Sequence, residues 1–286
     1  MDDAFSFRSR RCLPGCFQVV IFRVHSIESR PSWLAANLAL WLLTVFIFSQ
    51  SIGLWHLLVA RAGSRVVDAL PVTISALLAV VTIVVISRHR AAFSWPWAVA
   101  STAVFVVGLL STDPEFPAKR VHLPEYFVLT AIVYWSCHSH MSRRLAVWGG
   151  VILSAMLGGV DEIIQGAMAT RTFGLRDIAA NTLGAFSAGL FLEALNRRSL
   201  WGENERTAVP LVAAGLFGYG LLLLAANAHK GVPMPIWVYL PALATLPLLI
   251  LGGAMKGRHF PEAMGAVCAV ALLLLGGINA LDIDFR

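Results

Sequence analysis

Ionisable and hydrogen-bonding side chains gather in one stretch of an otherwise apolar chain. They fall into three groups: Lys119, Arg120, His122, Glu125 and Tyr126; then Asp161, Glu162 and Gln165; then Arg171, Arg176, Asp177 and Asn181. Carboxylates beside a histidine can transfer protons, and arginine and lysine can bind a phosphate or carboxylate group. The stretch therefore contains the residue types needed for a site that binds an anionic ligand.

These residue types suggest two kinds of role. We predict catalytic roles for His122, Glu162 and Asp161, with His122 and Glu162 as the proton-transfer pair. The predicted binding residues are Lys119, Tyr126, Gln165, Arg171, Asp177 and Asn181. Lys119 and Arg171 would hold the anion, and the orienting residues around it would be Asp161, Gln165, Asp177 and Asn181. Asp177 is also expected to cap the helix that starts beside it.

The elements that must position these groups are membrane-spanning helices. Of the 286 residues, 58% are hydrophobic and 13% are charged, and apolar runs long enough to cross a bilayer recur along the chain. The candidate spans are 33–50, 69–87, 93–111, 122–138, 145–167, 177–195, 207–228, 235–253 and 263–281. The sequence thus predicts an all-α, polytopic transmembrane helical bundle of about nine spans.

The distribution of basic residues predicts the orientation of this bundle. The larger share of the 22 Lys and Arg residues falls on one side if the N-terminus is inside and the C-terminus outside. In that arrangement the fourth span begins outside, the fifth ends outside and the sixth begins outside. All three polar groups then share one depth, and we expect them to form a single outward-facing pocket.

Other functional classes fit the sequence less well. The net charge of +6 does not indicate nucleic-acid binding, because the basic residues lie in short clusters between apolar runs. Cys12 and Cys16 lack the second pair of a zinc site. With no phosphate-loop, dinucleotide or zinc motif in the chain, no cofactor is expected and no metal site is assigned. A hard-metal site is a further use open to the carboxylates and His122.

The polar groups also carry a family resemblance. In order, they read Lys119-x-x-His122-x-x-x-Tyr126, Asp161-Glu162-x-x-Gln165, Arg171 and Asp177-x-x-x-Asn181-x-x-Gly184. This order and spacing resemble the VanZ-like family of bacterial membrane proteins over residues 93–195, about one third of the chain. Pro124 and Glu125 depart from the family pattern, which usually has apolar residues before the Tyr.

The resemblance implies a multi-pass protein of the bacterial cytoplasmic (inner) membrane. The family's namesake is associated with low-level resistance to the glycopeptide teicoplanin, but its members share no agreed activity. The expected organisation is a basic cytoplasmic segment (1–32), two transmembrane helices (33–92), the VanZ-like four-helix domain (93–195) and three C-terminal transmembrane helices (196–286).

Two functional hypotheses follow. In the first, the pocket binds, and in an enzyme would also modify, an anionic membrane lipid or a lipid-linked envelope precursor. In the second, the protein is structural or binds a membrane-protein partner, and the polar groups only hold three helices together, with Asp161 or Glu162 paired to Arg171 or His122.

An odd number of spans predicts that the two chain termini lie on opposite sides of the membrane. A reporter active only in the cytoplasm should work when fused to the N-terminus and fail when fused to the C-terminus. The reason is that segments rich in lysine and arginine stay on the cytoplasmic side of the membrane. Cytoplasmic activity of both fusions would contradict the orientation and require an even number of spans.

Overall fold

Every regular element that the structure describes is a helix, in agreement with the all-α prediction. The computed structural model describes residues 30–88, 93–112, 116–138, 142–168, 171–195, 208–227, 235–245, 259–281, 283 and 285. Its helices are α1 (Arg30–Ser49), α2 (Ser51–Ala62), α3 (Ser64–Asp68), α4 (Leu70–Arg88), α5 (Trp95–Ser111), α6 (His122–Cys137), α7 (Arg143–Gly166), α8 (Leu175–Ala194), α9 (Ala208–Asn227) and α10 (His259–Ala280). Short 3₁₀ turns occupy Pro117–Val121 and Ile236–Tyr239.

Several of these helices could cross a membrane. The helices α4 and α7, and residues Glu262–Ala280 of α10, are long and apolar enough, and α1 and α2 together could form a fourth span with a 41° bend. Along α4, large apolar side chains such as Leu77 (64% exposed) face outward. Exposure of this kind is expected where lipid surrounds a helix, because water would disfavour so large an apolar surface.

The described helices coincide with most of the predicted spans. The exception is the predicted span 235–253, of which the structure describes a 3₁₀ turn and the helical residues 240–245. The remainder of that span and the basic segment 1–29 lie outside the described residues. Since α5 and most of α9 form shorter apolar helices, the number of spans stays a prediction.

Two further helices, α2 and α3, lie between the first two predicted spans. At 12 residues, α2 would extend only about 18 Å, too short to cross a bilayer alone. Gly63 follows it with a φ of 83°, a conformation that favours glycine and lets the chain turn sharply. Most side chains of α2 are exposed, which makes its apolar residues available to line a neighbouring cavity.

The central helices α7 and α8 are buried along most of their lengths. On α8, the small residues Ala180, Gly184 and Ala188 are buried, as expected for a face that another helix approaches closely. A Cβ atom on Gly184 would lie 2.5 Å from the carbonyl oxygen of Leu123 in α6. The absence of a side chain at Gly184 therefore sets the separation of α6 and α8 near the polar groups.

Polar contacts also connect the central helices. Ser101 on α5 and Ser187 on α8 exchange hydrogen bonds with each other's carbonyl oxygens, at 2.8 and 2.9 Å. At the far end of the bundle, Nη1 of Arg143 lies 3.4 Å from Oε2 of the buried Glu193, joining the start of α7 to the end of α8. This ion pair lies at the opposite end of α7 from Asp161 and Glu162.

Replacement of Gly184 by alanine should destabilise the protein. The added methyl group would force α6 and α8 apart, and overpacking of this kind costs about 1–3 kcal/mol. Thermal unfolding of the detergent-solubilised protein measures the effect. Gly218→Ala on α9 is the matched control, because a Cβ atom there would meet nothing within 4 Å. Equal melting temperatures for the two variants would contradict the close approach.

Candidate functional site

The three polar groups meet at one end of the bundle. Helix α6 begins there, α7 ends there and α8 begins there. One potential ligand atom each from His122, Glu162 and Asp177 lie within 4.8 Å of one another, although the residues are far apart in sequence. All three side chains are buried. The structure thus brings together the groups that the helix order predicted would converge.

Asp161 is fully buried and is held by two neutral donors. Its Oδ1 lies 2.5 Å from the hydroxyl oxygen of Ser49 on α1, and its Oδ2 accepts a hydrogen bond of 3.1 Å from the hydroxyl of Tyr126 on α6. The Tyr126 ring also packs edge-on against Phe48. Because both carboxylate oxygens have partners within the protein, Asp161 joins α7 to α1 and α6 and is oriented as a positioning residue.

Glu162 is also fully buried, but only one of its oxygens is satisfied. Oε2 accepts a hydrogen bond of 3.0 Å from the backbone N–H of Gly174, the residue that caps α8. Oε1 has no hydrogen-bond partner among the described residues. The predicted capping role of Asp177 is wrong, because the N-cap residue of α8 is Gly174 and Asp177 lies within the first turn of the helix.

The cations of the site have separate partners. Nζ of Lys119 forms an ion pair of 3.0 Å with Oδ2 of Asp177, and Nη2 of Arg171 donates to the amide oxygen of Gln165. Nη1 of Arg171 is buried and has no partner among the described residues. A guanidinium held on one side and free on the other can bind an additional acceptor.

Asn181 lies deeper in the bundle. Its amide nitrogen is 3.5 Å from the carbonyl oxygen of Gly158, and its Oδ1 has no partner among the described residues. A Cβ atom on Gly158 would lie 2.8 Å from the Cβ of Asn181, so glycine is needed for this close packing of α7 and α8. The predicted binding residue Asn181 therefore packs between α7 and α8 and does not line the cavity.

A cavity of about 840 Å³ opens beside the cluster. Its polar lining comes from His56, Lys119, His122, Glu125, Arg171, Thr172 and Asp177. The cavity also has an apolar wall, contributed mainly by α1, α2 and α4, which includes Phe48, Leu54, Trp55, Leu58, Leu70 and Ile74. The cavity is thus lined by both charged and apolar side chains. Of the nine predicted site residues, Lys119, His122, Arg171 and Asp177 line it.

The remaining predicted residues lie behind the lining. Tyr126, Asp161, Glu162, Gln165 and Asn181 are each fully buried and are absent from the cavity surface. Their burial suits residues that orient the lining groups, and Glu162 still approaches His122 and Asp177 closely.

Sequence reasoning did not anticipate the contribution of the N-terminal helices. Ser49 stands at the end of an apolar run, and its one hydroxyl hydrogen is shared between Asp161 and the carbonyl oxygen of Val45 on its own helix, 3.0 Å away. The bond to Val45 is a common local one and gives no functional signal. The α2 wall residues are ordinary apolar side chains. Glu125 belongs to the first polar group but was assigned no role, whereas the structure places it in the cavity lining, 3.4 Å from Nδ1 of His122.

The structural hypothesis predicted that Asp161 or Glu162 would pair with Arg171 or His122, and the observed hydrogen bonds have other partners. Asp161 contacts Ser49 and Tyr126, and Arg171 contacts Gln165. Glu162 interacts with His122 electrostatically, while its hydrogen bond comes from Gly174. A polar network does join the helices, but Glu162 and Arg171 each keep one unpartnered atom within the described part of the chain.

Comparisons with known proteins supply one relative of moderate similarity. No family model matches the chain, and no solved structure matches it. A protein of Schizosaccharomyces pombe described as uncharacterized protein C11E3.10 is 33% identical over 108 residues, which cover 34% of this chain and 65% of the relative. The chain therefore spans slightly less than two thirds of that relative, and the VanZ-like resemblance stays an expectation from the motifs.

Removal of the Tyr126 hydroxyl should destabilise the fold. Tyr126→Phe leaves Oδ2 of buried Asp161 without its donor, and losing a hydrogen bond to a charged group costs about 1.5–3 kcal/mol. Chemical or thermal unfolding in detergent checks this value. Tyr219→Phe is the control, because Tyr219 is 54% exposed and its replacement should change stability by less than about 0.5 kcal/mol. If Tyr126→Phe leaves the stability unchanged, Asp161 must have another hydrogen-bond donor.

Proposed function

We propose that the cavity binds an anionic membrane lipid, either a phospholipid or a lipid-linked envelope precursor. The observation that carries this proposal is the joining of charged and apolar walls in one cavity of about 840 Å³. Such a volume lies within the range of small-molecule pockets, which are mostly apolar with a few placed polar groups. A ligand that fits both walls must itself be amphiphilic.

The polar wall suits a phosphate group. Arg171 is positioned by Gln165 and keeps Nη1 free, so it can donate to a phosphate oxygen without losing its anchor. Lys119 also lines the cavity, and its ammonium group lies 3.0 Å from Asp177 while its side chain is 30% exposed. These are the two residues for which the sequence predicts anion binding.

The apolar wall suits a hydrocarbon chain. It is built by α1, α2 and α4, and α4 carries its large apolar side chains on the outside of the bundle. Leu54 on α2 and Ile74 on α4 line the cavity and are themselves 57% and 40% exposed. A lipid chain could therefore leave the cavity between these helices and continue into the surrounding bilayer.

The proposal includes a membrane arrangement. The chain would form about nine spans with the N-terminus inside, so that the cavity opens in the outer leaflet of a bacterial cytoplasmic membrane. A VanZ-like relationship would connect the binding of a lipid-linked envelope precursor to glycopeptide resistance. The fission-yeast relative supports no particular membrane, since its description names none.

A modifying enzyme would use His122 and Glu162 for proton transfer, with Asp161 as a positioning residue. His122 lines the cavity, and Glu162 lies just behind it. The structural alternative is favoured by one observation: Asp161 is fully satisfied within the protein and joins three helices. Glu162→Gln separates the hypotheses, since it should abolish lipid modification at unchanged stability in an enzyme and lower stability if the residue only joins helices.

Lipid binding can be tested with the purified chain in detergent micelles. Titration with phosphatidylglycerol and with a polyprenyl phosphate distinguishes the two lipid classes, while diacylglycerol and inorganic phosphate test the apolar and phosphate contributions alone. Arg171→Gln should weaken binding by about tenfold to a hundredfold, because a charge-assisted hydrogen bond contributes about 1.5–3 kcal/mol. The lipid affinity of Arg171→Lys should lie between those of the wild type and Arg171→Gln, since lysine keeps the charge but loses the forked geometry of arginine.

The matched control is Arg88→Gln, which removes an exposed arginine at the end of α4 that does not line the cavity, and it should leave lipid affinity unchanged. Leu54→Gln on the apolar wall should weaken lipid binding while leaving inorganic phosphate unaffected. Equal affinity of wild type, Arg171→Gln and Leu54→Gln for both lipids would contradict the assignment of the cavity.

A further inference from the structure

We infer that His122, Glu162 and Asp177 form a binding site for one divalent transition-metal ion, such as Mn²⁺ or Zn²⁺. The site lies at the boundary between the cavity and the buried network. It goes beyond lipid binding and does not depend on it, because all three ligands belong to the protein.

The geometry of the three side chains supports an ion. One nitrogen or oxygen atom from each residue lies within 4.8 Å of the others. An ion bound at about 2.0–2.2 Å from each atom holds its ligands up to about 4.4 Å apart. The observed spread is therefore close to what one ion requires. The helices α6, α7 and α8 that carry these residues are packed against one another.

An unpartnered atom provides a second and independent indication. Oε1 of Glu162 is buried and has no hydrogen-bond partner among the described residues, whereas Nδ1 of His122, also buried, lies 3.4 Å from Oε2 of Glu125. Glu162 is 0% exposed and His122 is 2% exposed. A buried carboxylate oxygen without a partner costs free energy, because it has lost its water and gained nothing in exchange. A bound cation would satisfy it directly.

The charge balance points in the same direction. The interacting charged groups of the site are the carboxylates Glu125, Asp161, Glu162 and Asp177 and the cations Lys119 and Arg171. The site thus holds four carboxyl groups and two permanently cationic side chains. A divalent ion bound between carboxylates would offset negative charge within an apolar bundle, where unpaired charges are costly.

The ligand types indicate which ions fit. An imidazole nitrogen with two carboxylates suits Mn²⁺ or Zn²⁺, whereas Ca²⁺ prefers six to eight oxygens. Gly174 already orients the Glu162 carboxylate through its backbone N–H, as outer contacts commonly orient metal ligands. His122 and Asp177 also line the cavity, so the open positions of the ion would face its interior.

Lys119 makes the proposal sharper, because its ammonium group competes for the same carboxylate. Its Nζ lies 3.0 Å from Oδ2 of Asp177. An ion at the site would repel this ammonium group and share or displace its contact. Replacing Lys119 by methionine should therefore strengthen metal binding, an effect that a purely structural ion pair does not predict.

The experiment uses the full-length protein in detergent, stripped of metal with a chelator and without added lipid. Equilibrium dialysis with Mn²⁺ or Zn²⁺ should give one ion per chain, and the ion should raise the melting temperature because it binds the folded state. Glu162→Gln and Asp177→Asn should each weaken binding by about tenfold or more. Lys119→Met should strengthen it several-fold.

Electron spin echo measurements on bound Mn²⁺ identify the nitrogen ligand. The wild type should show coupling to an imidazole nitrogen, and His122→Gln should lose it. Glu193→Gln is the matched control, since Glu193 is a buried carboxylate at the far end of the bundle and should not alter the affinity.

Absence of stoichiometric binding by the folded wild type would overturn the proposal, whatever the variants do. Binding that survives unchanged in Glu162→Gln and Asp177→Asn would also overturn it. Because no lipid is present, loss of metal binding and loss of lipid binding are separate results.

Discussion

The structure depends on the burial of two adjacent carboxylates near the end of an apolar helix. Asp161 and Glu162 are both fully buried on α7, where an unpaired charge would be costly. Each therefore requires partners from other elements: Ser49 and Tyr126 for Asp161, and the backbone N–H of Gly174 for Glu162. Meeting this requirement draws α1, α6 and the start of α8 to the same end of the bundle.

The two ends of α7 satisfy their buried charges differently. At the far end, Glu193 pairs with Arg143, whose guanidinium also donates to the carbonyl oxygen of Leu192 at 2.7 Å. At the cavity end, neutral donors and a backbone amide satisfy part of the demand, and cations lie at the rim. The first arrangement suits a structural connection. Both ends keep one buried carboxylate oxygen without a hydrogen-bond partner among the described residues, Oε1 of Glu193 and Oε1 of Glu162. The Glu162 carboxylate differs because it lies close to His122 and Asp177, which line the cavity.

The cavity itself requires more of the chain than its polar signatures. Most of its apolar wall comes from α1, α2 and α4, all of which precede residue 93. The VanZ-like resemblance covers 93–195 and so includes the charged lining but little of the apolar wall. An amphiphilic ligand would need both, which makes the N-terminal helices part of the proposed function. The bend of 41° between α1 and α2 brings that wall into place.

The amino-acid sequence was sufficient to locate most helices and to indicate which polar groups share one end of the bundle. Helix formation depends on local apolar runs, so α4, α7 and α8 agree with the spans predicted for them, and the alternation of spans placed His122, Glu162 and Asp177 at one end. Only the tertiary structure decided the partner of each side chain. The role of Ser49, the wall formed by α2 and the free oxygen of Glu162 depend on distances between helices. Spacing along one chain carries no record of those distances, because the packing of several helices sets them together.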